Sequence, residues 1–205
     1  MPFLNRLAQT VHQNQFLQRL YDMSKIIIDV DPFYIVREGL SVEDGINVKP
    51  KLDFCNVCFL KPSEMKVISS SPEVPQTEDV FLKRLSDGCL CIGIKHYDEI
   101  AAYMWCNLKE CDSKLIRFNL SEDKAYLMDA RTFSSYRGKN LAPYLRAQLY
   151  KHLRQMGRTK FISITSYLNT SSIRFKKKLN AKPYKFYARI KLFLKFECVI
   201  PLKSF

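Results

Sequence analysis

What this chain lacks narrows its class before anything else does. No apolar run approaches the roughly 20 residues that a membrane-spanning helix needs, so no such helix is expected. The opening Met1-Pro2-Phe3-Leu4-Asn5-Arg6 leads into Gln, His, Asn and Arg, not into a compact apolar segment with a small-residue cleavage site. No secretory signal is expected there, and the expected location is cytoplasmic. Histidine is scarce: His12, His96 and His152 share no constellation and are given no catalytic role. Cys55 and Cys58 form a lone C-x-x-C with no second Cys/His pair at zinc-site spacing. The seven cysteines are therefore expected to be reduced thiols packed as small apolar side chains, with no metal bound. There is no internal repeat and no low-complexity tract. Acidic side chains also run out: from Arg131 onward the only one is Glu197.

The 205 residues suit one domain with a short extension, and a hydrophobic content of 47% suffices for a core without disulfides. The net charge of +13 is lopsided. Residues 1–100 hold 11 Lys/Arg against 14 Asp/Glu, and residues 101–205 hold 22 against 6. Such a field draws anions to the C-terminal half: cofactor phosphates, nucleic acid, an acidic carrier protein or an anionic membrane surface.

Residues 1–30 read as an N-terminal helical extension, with Phe3, Leu4, Leu7, Val11, Phe16, Leu17 and Leu20 at roughly helical spacing, and residues 31–205 as one domain. Strands are expected over Phe33–Val36, Lys51–Leu60, Cys89–Lys95, Ile100–Leu108, Ala125–Phe133 and Phe161–Leu168, with Leu115–Leu120 ambiguous. Helices are expected from Pro62, from Thr77 to Gly88, over Leu141–Met156 and over Ser171–Leu179. The longest has Leu141, Tyr144, Leu145, Leu149, Leu153 and Met156 on one face. The last strand alternates from Phe186 through Ala188, Ile190, Leu192 and Leu194 to Phe196, which predicts an apolar face inward and a basic face outward. This order predicts an α+β fold: one mixed, mostly antiparallel sheet flanked by helices.

The chemistry concentrates between Ala125 and Leu179, where a strand feeds the loop Ser134-Ser135-Tyr136-Arg137-Gly138-Lys139-Asn140 into a helix. The first N–H groups of a helix have no internal partner and carry partial positive charge, which makes such a junction a phosphate site. Gly138 frees the backbone there, Arg137 and Lys139 add charge, and Pro143 sits in the first turn, where its missing N–H does no harm.

Arg137-Gly138-Lys139-Asn140-Leu141-Ala142 resembles the pyrophosphate loop of the Gcn5-related N-acetyltransferase (GNAT) superfamily, Gln/Arg-x-x-Gly-x-Gly/Ala, with Asn140 where the family has Gly. Asn is the next most tolerant residue for left-handed angles. Asn169-Thr170-Ser171-Ser172 is similar to the family's Asn-x-x-Ala/Ser at the next helix start, and the resemblance covers roughly residues 50–195. It implies a splayed sheet whose two central strands admit the pantetheine arm of acetyl-CoA or another acyl-CoA. Backbone groups near Ala130, Thr132 and Phe133 would pair with that arm. Amides of Gly138, Lys139, Asn140, Leu141 and Ala142 would hold the pyrophosphate, with Arg137 beside them. Asn169 would reach the pantetheine, and Ser172 would pack alongside. The family's acid, a Tyr seven residues after that Asn, is replaced by Lys176. The Gly near the end of that helix is replaced by Asn180.

The implied activity is direct attack of a primary amine on a thioester, needing orientation, a base and a donor for the oxyanion. Asp129 is the candidate base, set against the plainer reading of a carboxylate paired with Arg131 or Arg137. Tyr167 and Lys176 are candidate acids, set against rim packing for Tyr167 and a solvated face for Lys176-Lys177-Lys178. A small-molecule amine or amino-sugar acceptor is expected. The alternatives are an acyl carrier protein or longer acyl-CoA as donor, a non-catalytic CoA-binding module, and a nucleic-acid-binding protein that uses the basic half.

Overall fold

The computed structural model describes residues 28–40, 48–193 and 195–205. The helical extension expected over residues 1–30 lies outside the described residues except at Ile28, Asp29 and Val30, which already belong to a strand. In chain order the elements are β1 (Ile28–Glu38), β2 (Cys55–Phe59), α1 (Pro62–Ser69), α2 (Glu78–Ser86), β3 (Leu90–His96), β4 (Glu99–Asn107), β5 (Glu110–Asp112), β6 (Arg117–Asn119), β7 (Lys124–Thr132), a 3-10 turn (Ser134–Tyr136), α3 (Leu141–Gln155), β8 (Lys160–Ser166), α4 (Thr170–Lys177), β9 (Lys182–Leu192) and β10 (Phe196–Ser204). The ambiguous segment before β7 resolves into β6, which pairs with β5 in a separate small hairpin.

Eight strands form one sheet in the order β10-β9-β1-β8-β7-β4-β3-β2. Every neighbouring pair is antiparallel except β7 and β8. This is the mixed, splayed sheet expected, with one addition: β1 lies between β8 and β9 and closes the second half of the sheet.

Strand alternation divides the core. From β4, Ala102, Met104 and Cys106 join one apolar cluster with Leu141, Leu145, Leu149 and Leu153 of α3. Tyr103 and Trp105 point the other way, into a second cluster with Met65 and Ile68 of α1 and Phe81 of α2. Among the described residues, no helix is long and apolar enough to cross a membrane.

The alternating C-terminal strand does not run through to Phe196. It stops at Leu192, Phe193 takes a left-handed turn (φ 50), and Phe196 opens β10. Its apolar face is not fully inward either: Leu192 is 37% and Phe196 70% exposed. Period-two patterning says which side chains share a face, but not whether another layer covers it.

Candidate active site

β7 and β8 pair at three positions only, Lys124↔Lys160, Ala125↔Phe161 and Tyr126↔Ile162. Beyond these the strands diverge around an open cleft of about 840 Å³. Parallel strands joined through a helix can part in this way because each keeps its ladder on the far side, β7 with β4 and β8 with β1.

The rim of the cleft is the loop entering α3. Gly138 has φ +77, and a side chain there would meet nothing within 4 Å, so the glycine serves backbone conformation and leaves open space. Asn140 is left-handed (φ 61, ψ 22), as expected of the Asn standing for Gly. It provides no side-chain cap to α3. Its amide is used elsewhere: Nδ2 donates to the Lys49 carbonyl (2.9 Å), and Oδ1 accepts from Lys178 Nζ (3.1 Å). The first turn of α3 thus keeps donors free for an anion. Arg137 is committed to Glu73, its Nη2 at 2.9 Å from Oε2. Arg137, Gly138, Asn140, Leu141 and Ala142 line the cleft. Lys139 does not; its ammonium lies 5.0 Å from the Tyr136 ring centroid.

Along β7, the register shifts so that Asp129 and Ala130 together stand against Met104. Asp129 has φ 45, a left-handed angle uncommon for a residue other than Gly inside a strand, and this is a β-bulge. Asp129, Ala130 and Thr132 line the cleft. Asp129 does not pair with Arg131 or Arg137; Arg84 of α2 donates to its Oδ2 at 2.6 Å. Phe133 is not among the lining residues, and its N–H donates to the Ala101 carbonyl within the sheet.

Asn169 caps α4, accepting from the Ser172 N–H at 3.0 Å, and both residues line the cleft. Asn180 is left-handed (φ 53), as expected after the helix. Lys176 departs from the solvated face expected for Lys176–Lys178: it is 4% exposed, although Lys177 and Lys178 are exposed. Its ammonium donates to Ser163 Oγ (2.7 Å) and Thr165 Oγ1 and lies 3.5 Å from Glu38 Oε1. Burial, with Arg146 nearby, pulls its pKa down to about 8 against the opposing pull of Glu38. For Glu38, burial alone would raise the pKa, but Arg146, Lys176 and hydrogen bonds from Ser163 and Tyr150 outweigh it and hold the carboxyl below its ordinary value. Tyr167 lies outside the lining: 51% exposed, its ring packs near Tyr34 and Phe186 (each 5.9 Å between centroids).

Reading the sequence missed Glu38, Arg84 and Arg146. Arg146 had a faint signal. It stands one turn before Tyr150, among the buried positions of α3, where a strictly amphipathic helix would carry an apolar residue.

The Acetyltransferase (GNAT) family matches residues 60–181, and the chain belongs to that family. No curated protein sequence matches it significantly. Solved structures of similar fold include a Drosophila protein (16% identity, TM-score 0.56, 87% of this chain and 57% of that one). A tandem GNAT protein from the clavulanic acid biosynthesis pathway is similar as well (15% identity, TM-score 0.57, 78% and 53%). So is a GNAT-family acetyltransferase from Colwellia psychrerythraea (14% identity, TM-score 0.56, 86% and 57%). The chain spans little more than half the length of these three structures, and at such identities the likeness is one of fold.

Proposed function

We propose that the protein is an acyl-CoA-dependent N-acyltransferase that passes the acyl group of a CoA thioester to a primary amine by direct attack. Acetyl-CoA is the donor that the family implies, and a small-molecule amine or amino sugar the acceptor. The observation that carries this reading is the cleft between β7 and β8 with the uncapped start of α3 at its rim. In this account the amides of Gly138, Leu141 and Ala142 hold the pyrophosphate. The backbone at Ala130 and Thr132 pairs with the pantetheine arm, and an amide left unpaired by the bulge takes the charge that develops on the thioester oxygen.

Asp129, held by Arg84, takes the proton of the incoming ammonium. The amine nitrogen then bonds to the thioester carbon, the C–S bond breaks, and the proton still in excess on the nitrogen passes to the leaving thiolate. Lys176 has its ammonium committed to Glu38, Ser163 and Thr165 and takes no part in this transfer. Tyr167, which does not line the cleft, is given no part in these steps. The test is a panel of amines, amino sugars and amino acids with release of CoA thiol as the readout. Turnover with one class, lost in Asp129→Asn, supports the reading. A protein that binds CoA but releases no thiol with any class is a binding module, and the transferase assignment then fails.

A further inference from the structure

The deepest part of the cleft carries more positive charge than it has partners for. Glu38, wholly buried behind the lining, is shared between Arg146 (Nε to Oε2, 3.3 Å) and Lys176 (Nζ to Oε1, 3.5 Å), and accepts from Tyr150 (2.5 Å) and Ser163. The ammonium of Lys176 is satisfied by Glu38, Ser163 and Thr165. Arg146 is not. It is 2% exposed and lines the cleft, and its Nη1 has no hydrogen-bond partner among the described residues. Its Nε faces Glu38 without hydrogen-bond geometry, and the Phe175 ring lies 5.6 Å from Cζ. Two buried cations against one buried anion leave a net positive charge where an uncompensated charge is costly.

Position tells which anion would complete it. The β7–β8 ladder ends at Tyr126↔Ile162, and Ser163, the next residue of β8, is the one that joins Glu38 to Lys176. The cluster therefore sits at the apex where the strands part. The phosphate-binding loop is at the rim, and the bulge at Asp129 lies three residues along β7 from Tyr126, about 10 Å. A four-carbon diacyl chain spans about 5 Å from thioester carbon to terminal carboxylate by standard bond lengths, and its hydrogen bonds add about 3 Å. A thioester at the bulge thus brings such a carboxylate about 8 of those 10 Å toward the apex, within the cleft that Arg146 lines. An uncharged acyl tail would leave the free guanidinium N–H buried and unmet.

We propose that the apex is a subsite for a carboxylate at the end of the donor's acyl chain, and that the chain prefers a short ω-carboxyacyl-CoA over an uncharged acyl-CoA of equal length. The proposal rests on the acyl-CoA reading above and names the donor class within it. The added carboxylate accepts from Arg146 and balances the cluster at two positive and two negative charges. The transfer itself is unchanged: the amine nitrogen bonds to the thioester carbon, the C–S bond breaks, and the distal carboxylate passes intact into the amide product.

Calorimetry on the full chain tests it without an acceptor, using CoA and two unreactive thioethers of equal length, S-butyl-CoA and S-(3-carboxypropyl)-CoA. The acid is expected to bind at least about tenfold more tightly than the butyl compound, the scale of a hydrogen-bonded charge pair. In Arg146→Met that preference disappears while CoA itself still binds. Should Arg146→Met not fold, Arg146→Lys, which keeps the charge but loses the planar fork, is expected to weaken the preference. Equal or weaker binding of the acid to wild type overturns the proposal and leaves the acyl-CoA reading intact, as does a preference that survives in a folded Arg146→Met. Failure of all three compounds to bind overturns that reading, and the proposal with it.

Discussion

Replacing Glu38 by Gln removes the only negative charge from a cluster that holds two cations, keeps the shape of the side chain, and leaves one accepting oxygen where Tyr150 and Ser163 now use two. All three charged side chains are almost wholly buried, at 0%, 2% and 5% exposure for Glu38, Arg146 and Lys176. Solvent screening is therefore slight, and breaking a buried pair from one side costs about 3–5 kcal/mol. That is a large part of the 5–15 kcal/mol by which a typical domain is stable. Urea unfolding reads the loss through Trp105, the single tryptophan of the chain, which is fully buried and stacked on Phe81 at 5.5 Å. The midpoint should fall with little change in slope. A loss under about 1 kcal/mol, the scale of an exposed pair, would refute the premise that these charges are desolvated. Replacing Glu38, Arg146 and Lys176 together by Leu, Met and Leu should be near neutral or stabilising by comparison. A cluster that stability does not require is one that function can explain.

Other outcomes follow from single residues. Lys176 has its pKa lowered from 10.5 to about 8, so between those values the unfolded chain binds the proton that the folded chain has shed, and stability rises with pH. The stability of wild type relative to Lys176→Met should therefore increase from pH 8 to 10.5 by about 3 kcal/mol, measured by urea titration at each pH. At Asn140, Ala places an unsuited side chain at φ 61 and should cost about 1–2 kcal/mol, whereas Gly tolerates the angle and should stay within about 1 kcal/mol of wild type despite the lost bonds to Lys49 and Lys178. Asp129→Asn should lower turnover by about 100-fold or more in the thiol-release assay, with CoA affinity retained.

The loop entering α3 was legible because its geometry is local. A strand, a Gly, a left-handed Asn and a Pro in the first helical turn each constrain the backbone at their own position, and both Asn140 and Asn180 take the left-handed angles that their place in the pattern demanded. The apex cluster was not legible. Glu38, Arg146 and Lys176 come from β1, α3 and α4, and only the placement of β1 beside β8 brings them together. Periodicity assigns a charged side chain to the solvent face by default, so Arg146 and Lys176 contradicted the pattern that was used to read their helices. Asp129 was recognised, but its partner was sought among residues near in sequence, whereas Arg84 reaches it from α2. The extent of β1 and the existence of β10 escaped because short polar interruptions, Asp29 and Asp31 in one and Glu197 in the other, break an alternation that the strand ladders tolerate.

The donor site is the centre of the account, and calorimetric titration with acetyl-CoA tests it most directly, on wild type and on Gly138→Trp. Gly138 lies at the loop with open space above it, so an indole there occupies the place of the pyrophosphate without disturbing the core. The account predicts saturable micromolar binding to wild type that is lost in the folded variant. No binding to a folded wild type, or binding that Gly138→Trp leaves unchanged, would contradict it.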